Sequence, residues 1–226
     1  MTRQRKSPAL RLDHANVVGI AETPAALRRA RTLTALDALE VRLDAFDDAP
    51  DAAALRDLNV PIIATARCPE EGGKNALNAR ERASRYLALL DIAHALDIEL
   101  ASRAAMTDVI AAARAKKRRV ILSFHDFAGT PRNLRALQKR AAAAGADIFK
   151  IAVTPRNPAE LAALLALLDA PPVPTSVMGM GPLGKVSRLA AARCGSVLNY
   201  GWIERPNVAG QWSAAELRAR LDELAA

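Results

Sequence analysis

Residues 119–153 read RVILSFHDFAGTPRNLRALQKRAAAAGADIFKIAV, and this stretch contains the unit from which the fold follows. Residues 119–124 and 147–153 are short apolar runs with β-branched side chains, which is typical of buried strands. Residues 131–144 lie between them and have the apolar spacing of a helix. A strand, a helix and a second strand in this order predict a parallel βαβ unit.

The same alternation continues over the whole chain on both sides of this unit. The predicted strands are 15–20, 37–43, 60–66, 95–100, 119–124, 147–153, 173–180 and 196–200. The predicted helices are 24–34, 51–58, 75–92, 103–116, 131–144, 157–168, 182–193 and 213–225. Eight such units in 226 residues favour an α/β protein with a single-domain parallel (β/α)₈ TIM barrel over a doubly wound sheet, which usually has fewer strands. We expect residues 1–13 to form a basic, disordered tail and residues 14–226 to form the barrel.

The composition is that of a globular protein without a structural metal or a disulfide framework. Hydrophobic residues make up 51% of the chain, which is enough for a large core. Cys68 and Cys194 are too few for a disulfide framework or a four-thiolate zinc site, and the three histidines lack metal-ligand spacing. No apolar run approaches the roughly 18 residues that a membrane-spanning helix needs. We therefore expect a cytoplasmic protein that uses no metal or other cofactor.

The strong positive charge raises the question of a nucleic-acid partner. The chain has 32 Lys and Arg against 24 Asp and Glu, a formal net charge of +8 and a sequence pI near 10.1. Such values occur in nucleic-acid-binding proteins, but aromatic residues are only 4% and the densest basic run, residues 116–119, lies at a predicted helix end. We expect no nucleic-acid partner, with that alternative left open, and an anionic small-molecule substrate drawn in by the positive field.

Ionisable side chains lie at the ends of five consecutive predicted strands. They are Glu40, Arg42 and Asp44; Arg67; Asp97 and Glu99; His125 and Asp126; and Lys150. In a (β/α)₈ barrel the reacting groups lie at the C-terminal ends of the strands. Because converging charges are costly to bury, this number of them indicates an active site more than a set of structural ion pairs.

Lys150 and His125 are the sharpest candidates in this set. Lys150 lies between Phe149 and Ile151, where desolvation favours the neutral amine that can attack a carbonyl and form an imine. A lysine that extends to solvent from the strand end is the alternative for this segment alone. His125 ends the preceding strand, so its imidazole is placed beside the amine and is suited to moving a proton next to an imine carbon.

Seven motifs, taken together and in order, resemble those of the type I 3-dehydroquinate dehydratases, which are Schiff-base enzymes of the shikimate pathway. The motifs lie in segments 40–44, 61–73, 97–100, 123–131, 146–152, 178–189 and 210–211. The resemblance implies that Lys150 forms an imine with the C3 ketone of 3-dehydroquinate. It also implies that His125 removes a proton from C2 and then protonates the departing C1 hydroxyl. A homodimer is predicted as well.

The resemblance implies roles for further residues. Glu71 is implied to orient His125. The implied substrate-binding residues are Glu40, Arg42 and Arg67 for the ring hydroxyls, Arg188 and Gln211 for the carboxylate, and Met180 and Asn207. The loop before the last helix departs from the family pattern of a hydroxyl residue followed by Ala-Pro-Gly-Gln, since residues 207–211 read NVAGQ. The lost proline predicts a freer loop over the substrate.

Two other functions remain open at this point. A lysine-dependent aldolase on the same barrel would use the same imine but break a carbon–carbon bond. Segments 70–73 and 123–127, which are among the motifs that resemble the dehydratases, count against it. A non-catalytic, ligand-sensing relative of the dehydratases would need neither Lys150 nor His125. The presence of both residues therefore favours the enzyme.

Overall fold

The computed structural model describes residues 9–225, in which eight β-strands alternate with eight α-helices. The strands are β1 (Asn16–Ala21), β2 (Ala38–Arg42), β3 (Ile62–Thr65), β4 (Ala95–Glu99), β5 (Arg119–Asp126), β6 (Ile148–Val153), β7 (Thr175–Gly179) and β8 (Leu198–Trp202). The helices are α1 (Pro24–Ala30), α2 (Ala52–Arg56), α3 (Ala79–Leu89), α4 (Thr107–Ala115), α5 (Leu134–Ala143), α6 (Pro158–Leu165), α7 (Gly184–Arg193) and α8 (Ala214–Glu223).

The strands form one parallel sheet that curls into a barrel. Strand β8 pairs with β1, and the order then runs from β1 to β7, each strand parallel to the next. At the seam between β7 and β8, the Val197 N–H donates to the Thr175 carbonyl at 3.1 Å and the Val177 N–H donates to Ser196 Oγ at 3.0 Å. The predicted (β/α)₈ barrel is confirmed.

The period of two along each strand divides the core into an outer and an inner part. On β6, Phe149 and Ile151 belong to the large cluster between the strands and the helices. Ile148 and Ala152 belong to the smaller cluster inside the barrel. Lys150 lies between these two inward positions, so the alternation directs its side chain into the barrel.

Several elements differ by a few residues from the predicted bounds, and capping explains the clearest case. Helix α3 begins at Ala79 rather than at 75, because Asn78 and Glu81 each accept a hydrogen bond from the other's backbone N–H. Strand β5 continues two residues beyond the predicted end, to Asp126. His125 is therefore inside the strand and paired with Ala152 of β6.

The first residues of the described chain pack against the end of the barrel opposite the strand C-termini. Leu10 is buried with the inner cluster, and its carbonyl accepts a hydrogen bond from Arg119 at 2.5 Å. Packing therefore starts before residue 14, where the predicted barrel begins. Residues 1–8 of the predicted tail lie outside the described residues.

The basic run 116–119 lies at the same end, where α4 leads into β5. Lys116 forms an ion pair with Asp91 at 2.5 Å. Arg118 donates to the carbonyls of Leu90 and Asp91, at 3.2 and 2.9 Å. These contacts support the interpretation of the run as a helix end that binds its neighbours. In residues 9–225 no helix has both the length and the apolar character that a membrane span requires.

Candidate active site

A cavity of about 290 Å³ opens at the C-terminal ends of the strands. Nine of the ten predicted site residues line it: Arg42, Arg67, Glu71, His125, Lys150, Met180, Arg188, Asn207 and Gln211. The tenth, Glu40, lies beneath the cavity and binds Lys150. These residues come from six strands and their following loops, and Ile20 on β1 adds a seventh.

Lys150 is 4% exposed and its amine is held by groups from three other strands. Nζ donates to Glu40 Oε1 at 2.9 Å and to Asp97 Oδ2 at 2.7 Å. It also lies over the ring of Tyr200, 3.9 Å from the centroid. Each of these three neighbours attracts a positive charge, and the apolar flanks of Lys150 in the sequence did not indicate them. Only the neutral form of an amine acts as a nucleophile.

Asp97 connects Lys150 to a buried network beneath the cavity. Its Oδ1 accepts from Ser123 Oγ at 2.6 Å and lies 3.1 Å from Arg67. Burial opposes ionisation of Asp97, but the Arg67 and Lys150 cations outweigh it and hold the pKa of the carboxyl below its ordinary value. The carboxylate is thus a fixed negative charge that positions the Lys150 amine.

The guanidinium groups of Arg67 and Arg42 are already engaged with protein carboxylates. Arg67 donates to Glu99 at 3.0 Å and to Ser123 Oγ at 2.7 Å. Arg42 binds Asp44 with two hydrogen bonds, at 3.0 and 2.8 Å. Their implied contacts with substrate hydroxyls stay predictions, and the contacts with carboxylates show that both residues also hold the site together.

His125 and Glu71 form a close pair on one side of the cavity. Glu71 Oε2 lies 2.9 Å from His125 Nδ1 and accepts the backbone N–H of the same histidine at 2.9 Å. Burial, together with the Arg67 and Lys150 cations, lowers the pKa of His125 well below its usual value. The imidazole is thus neutral near pH 7. An ionised Glu71 accepts the proton on Nδ1 and leaves Nε2 free as a base.

A tight turn places Glu71 against the histidine. Residues Pro69–Glu71 form a 3₁₀ turn that ends at Gly72, whose φ is +88°. This left-handed backbone angle favours glycine, and a Cβ here would in addition lie 2.7 Å from the ring of the half-exposed Phe127, which would have to move. Residues 71–73, Glu-Gly-Gly, therefore include the glycine that ends this turn and places Glu71 beside His125.

Arg188, on α7, also lines the cavity and lacks a carboxylate partner among the described residues. It is 2% exposed, it donates to the Tyr200 carbonyl at 2.8 Å, and its Nε has no hydrogen-bond partner. Burial lowers the pKa of Arg188 to about 10, so the guanidinium remains charged at neutral pH. A buried guanidinium that lines a cavity and has no carboxylate partner among the described residues can bind an anion.

The loop before α8 is held by hydrogen bonds, one within the loop and one to the segment before α7. The Gly181 N–H donates to the Ala209 carbonyl at 2.9 Å, and the Asn207 N–H donates to Gln211 Oε1 at 2.9 Å. Gly210 has φ +75°, and a Cβ there would lie 2.1 Å from the Gly181 carbonyl oxygen. The predicted freedom of this loop is therefore opposed by close packing against the segment before α7.

Three residues around the cavity were given no role by the sequence: Ser123, Tyr200 and Glu22. Asp97 was predicted only as an ionisable group at the end of a strand, and period-two alternation on β4 places it on the inward face with Glu99. Tyr200 is directed inward in the same way on β8 with Leu198. Glu22 follows β1 and binds Arg42 at 3.2 Å, a pairing that no sequence pattern indicates.

Protonation of Glu71 predicts the low-pH limit of activity. Burial raises the pKa of Glu71 to about 7, although Arg67 opposes the change. Below that pH the carboxyl carries a proton and donates to Nδ1, so the single N–H proton of the neutral imidazole lies on Nε2, which can then no longer act as a base. We expect kcat/KM to fall as the pH drops through about 7. In Glu71→Gln, whose amide oxygen accepts the Nδ1 proton at any pH, this limb should move to lower pH. A limb that stays at the same pH in the variant would assign the titration to another group.

Comparison with known proteins agrees with this geometry. A family model described as Type I 3-dehydroquinase matches residues 17–226. A 3-dehydroquinate dehydratase of Methanothrix thermoacetophila is 36% identical over 191 residues, covering 82% of this chain and 80% of that protein. A 3-dehydroquinate dehydratase of Methanosarcina barkeri is 35% identical over 226 residues, covering 92% and 93% respectively.

Solved structures show the same fold. The crystal structure of 3-dehydroquinate dehydratase from Geobacillus kaustophilus HTA426 superposes with a TM-score of 0.83 and 27% identity, over 94% of this chain and 92% of that one. The 3-dehydroquinate dehydratase from Enterococcus faecalis superposes with a TM-score of 0.78 and 27% identity, over 93% and 94%. On the match over nearly the whole barrel, the chain belongs to the type I 3-dehydroquinase family.

Proposed function

We propose that the chain dehydrates 3-dehydroquinate to 3-dehydroshikimate through an imine on Lys150, with His125 as the acid and base. The observation that carries this proposal is the meeting of one buried amine and one neutral imidazole in a single cavity at the barrel mouth. A ligand-sensing protein has no need of this pair. Neither the imine nor the exchange of protons requires a metal or another cofactor.

The chemical steps balance with these two side chains and water. The neutral Lys150 amine adds to the C3 ketone, and loss of water gives a protonated imine. His125 Nε2 removes a proton from C2, and the electron pair moves towards the imine nitrogen to give an enamine. The enamine electrons then expel the C1 hydroxyl, which takes the proton from His125 and leaves as water. Hydrolysis of the remaining imine releases the enone product and the amine.

Arg188 is proposed to bind the substrate carboxylate with its guanidinium, which lines the cavity and has no protein carboxylate as partner among the described residues. We expect Arg188→Met to raise KM by about 10-fold to 100-fold, since hydrogen bonds to charged groups contribute about 1.5–3 kcal/mol. The same variant should melt at a higher temperature without substrate, because it removes a buried, unpaired cation. Arg193→Met, on the exposed end of the same helix, is the matched control and should change neither quantity. An unchanged KM in Arg188→Met would place the carboxylate elsewhere.

The proposed function is tested by product formation and by trapping of the intermediate. Incubation with 3-dehydroquinate should produce the ultraviolet absorbance of a conjugated enone. Borohydride added during turnover should reduce the imine to a stable secondary amine, and peptide mass spectrometry should find that adduct on Lys150. An adduct without enone formation would point to a ligand-binding or aldolase-like protein. If neither the enone nor the Lys150 adduct forms, the proposed reaction is contradicted.

A homodimer and a cytoplasmic location stay predictions and are part of this proposal. The positive field of the chain is likewise proposed to assist capture of the anionic substrate.

A further inference from the structure

Tyr200 occupies an unusual position inside the barrel. It is 2% exposed, it lies on β8 among the inner apolar residues, and its hydroxyl has no hydrogen-bond partner. An unpaired buried hydroxyl lowers stability, so this side chain is not explained by packing alone. Its ring face meets Lys150 Nζ at 3.9 Å from the centroid.

The ring and the two carboxylates act on Lys150 in different ways. Glu40 and Asp97 bind Nζ through N–H groups, at 2.9 and 2.7 Å. Tyr200 attracts the positive charge itself, since the face of an aromatic ring is negative. All three neighbours attract a positive charge on this nitrogen.

This difference becomes important when an imine forms. An ammonium has three N–H groups, whereas a protonated imine nitrogen has only one. Glu40 and Asp97 therefore cannot both keep a hydrogen bond to the nitrogen of the intermediate. The attraction of the ring needs no N–H and persists for as long as the nitrogen carries the charge.

The backbone of Tyr200 fixes where this ring lies. Its carbonyl accepts the hydrogen bond from Arg188 at 2.8 Å, and its strand neighbour in β1 is Val18. The residue thus touches the amine with its ring and the proposed carboxylate-binding group with its main chain. Burial near Glu40 and Asp97 raises the pKa of Tyr200 well above its usual value, so the ring stays neutral.

We propose that Tyr200 is a positioning residue that holds the Lys150 nitrogen in its cationic forms, first as the ammonium and then as the protonated imine. The inference rests on the proposed imine chemistry. In this arrangement the ring preserves the electron-withdrawing cation after condensation, when the nitrogen has lost two of its N–H groups. The positive nitrogen is what accepts electrons when C2 loses its proton.

The test is the pH dependence of trapping with cyanoborohydride. Only the neutral amine adds to the ketone, so the rate of adduct formation rises with pH. In Tyr200→Leu the ammonium loses its ring contact, and the midpoint should move to lower pH by about 0.4–1.5 units, the equivalent of a cation–π contact. In Tyr200→Phe the ring remains and the midpoint should stay close to that of the wild type.

A series of fluorinated rings at position 200 separates the effect of the ring's charge distribution on the midpoint from the effect of its shape. Tyr200→Phe is prepared with phenylalanines carrying one, two or three ring fluorines at that position, which weaken the negative ring face with little change of size. Each fluorine should move the midpoint further towards lower pH. Phe149→Leu, on the outer face of β6, is the control for lost aromatic volume and should not move it.

The outcomes distinguish this inference from the proposed function. Other charged groups near Nζ, namely Glu40 on β2, Asp97 on β4, Arg67 after β3 and His125 on β5, are unchanged throughout the series. Adducts in every variant with a midpoint that does not move would overturn the role of Tyr200 and leave the imine chemistry intact. Absence of an adduct in the wild type would contradict both the role of Tyr200 and the imine chemistry.

Discussion

Lys150→Ala should lose dehydratase activity by on the order of 10⁴-fold or more, the loss expected when the residue that carries the covalent chemistry is removed. The borohydride adduct should disappear in the same variant. Lys150→Arg should be equally inactive, because a guanidinium keeps the positive charge between Glu40 and Asp97 but cannot form the imine. The loss of activity is therefore expected to follow the amine and not the charge.

The two variants should differ in stability, and this difference makes the comparison informative. In Lys150→Ala, Glu40 and Asp97 remain buried without the cation that lies between them. We expect this variant to melt at a lower temperature than Lys150→Arg. Equal melting temperatures would contradict the assigned ion pairs. Activity measured well below both melting temperatures separates the chemical effect from unfolding.

Lys74 is the competing site that the trapping experiment must exclude. The sequence places it in a loop, and the structure shows that its side chain lines the mouth of the cavity, 49% exposed and 3.8 Å from Glu22. Labelling on Lys74 in the wild type, or full activity of Lys150→Ala, would overturn the mechanism. Lys139→Ala, on an exposed helix face, is the control for a lysine outside the site.

The fold could be predicted from the sequence because the spacing of apolar residues within each segment indicates whether that segment is a strand or a helix. Period-two alternation on β6 separated Phe149 and Ile151 from Lys150, and the structure confirms which face is which. The position of the site followed from the barrel, since the carboxyl ends of all its strands lie on one rim. The meeting of nine predicted residues in one cavity is the structural counterpart of that rule.

The pairing of charges across the barrel could not be predicted in the same way. Glu40 and Lys150 are 110 residues apart, and alternation shows only that both face inward. Which carboxylate lies within 3 Å of the amine depends on the register of several strands. The apolar flanks of Lys150 predicted desolvation and gave no sign of the two carboxylates that offset it.

The ends of elements were missed for a related reason. The start of α3 depends on the reciprocal hydrogen bonds of Asn78 and Glu81, and helical periodicity does not report these. The loop of residues 207–211 departs from the family pattern at its proline, and the sequence alone predicted mobility. In the structure, Gly210 packs directly against the Gly181 carbonyl, a contact between two segments that are distant in sequence.

His125→Ala should stop turnover without stopping attachment of the substrate, because the imidazole acts after the imine has formed. Removal of a general acid and base typically costs about 10²-fold to 10⁴-fold, and here one side chain is proposed to serve both proton transfers. Lys150 keeps its contacts with Glu40 and Asp97, so the amine can still condense with the ketone. The imine should then accumulate at the stage before the loss of the hydroxyl.

The mass of the trapped adduct shows whether the imine was reduced before or after the loss of the C1 hydroxyl as water. Borohydride added to the wild type in turnover should yield adducts derived from both substrate and product, which differ by one water. In His125→Ala the adduct should carry the mass of the substrate, since neither the C2 proton nor the C1 hydroxyl has left. His14→Ala, whose side chain is 41% exposed at the start of the barrel, should behave like the wild type. Turnover close to wild type in His125→Ala, or a trapped adduct already lacking the water, would show that another group removes the C2 proton. Glu71 would then be the next residue to test, because it lies 2.9 Å from the imidazole and lines the same cavity.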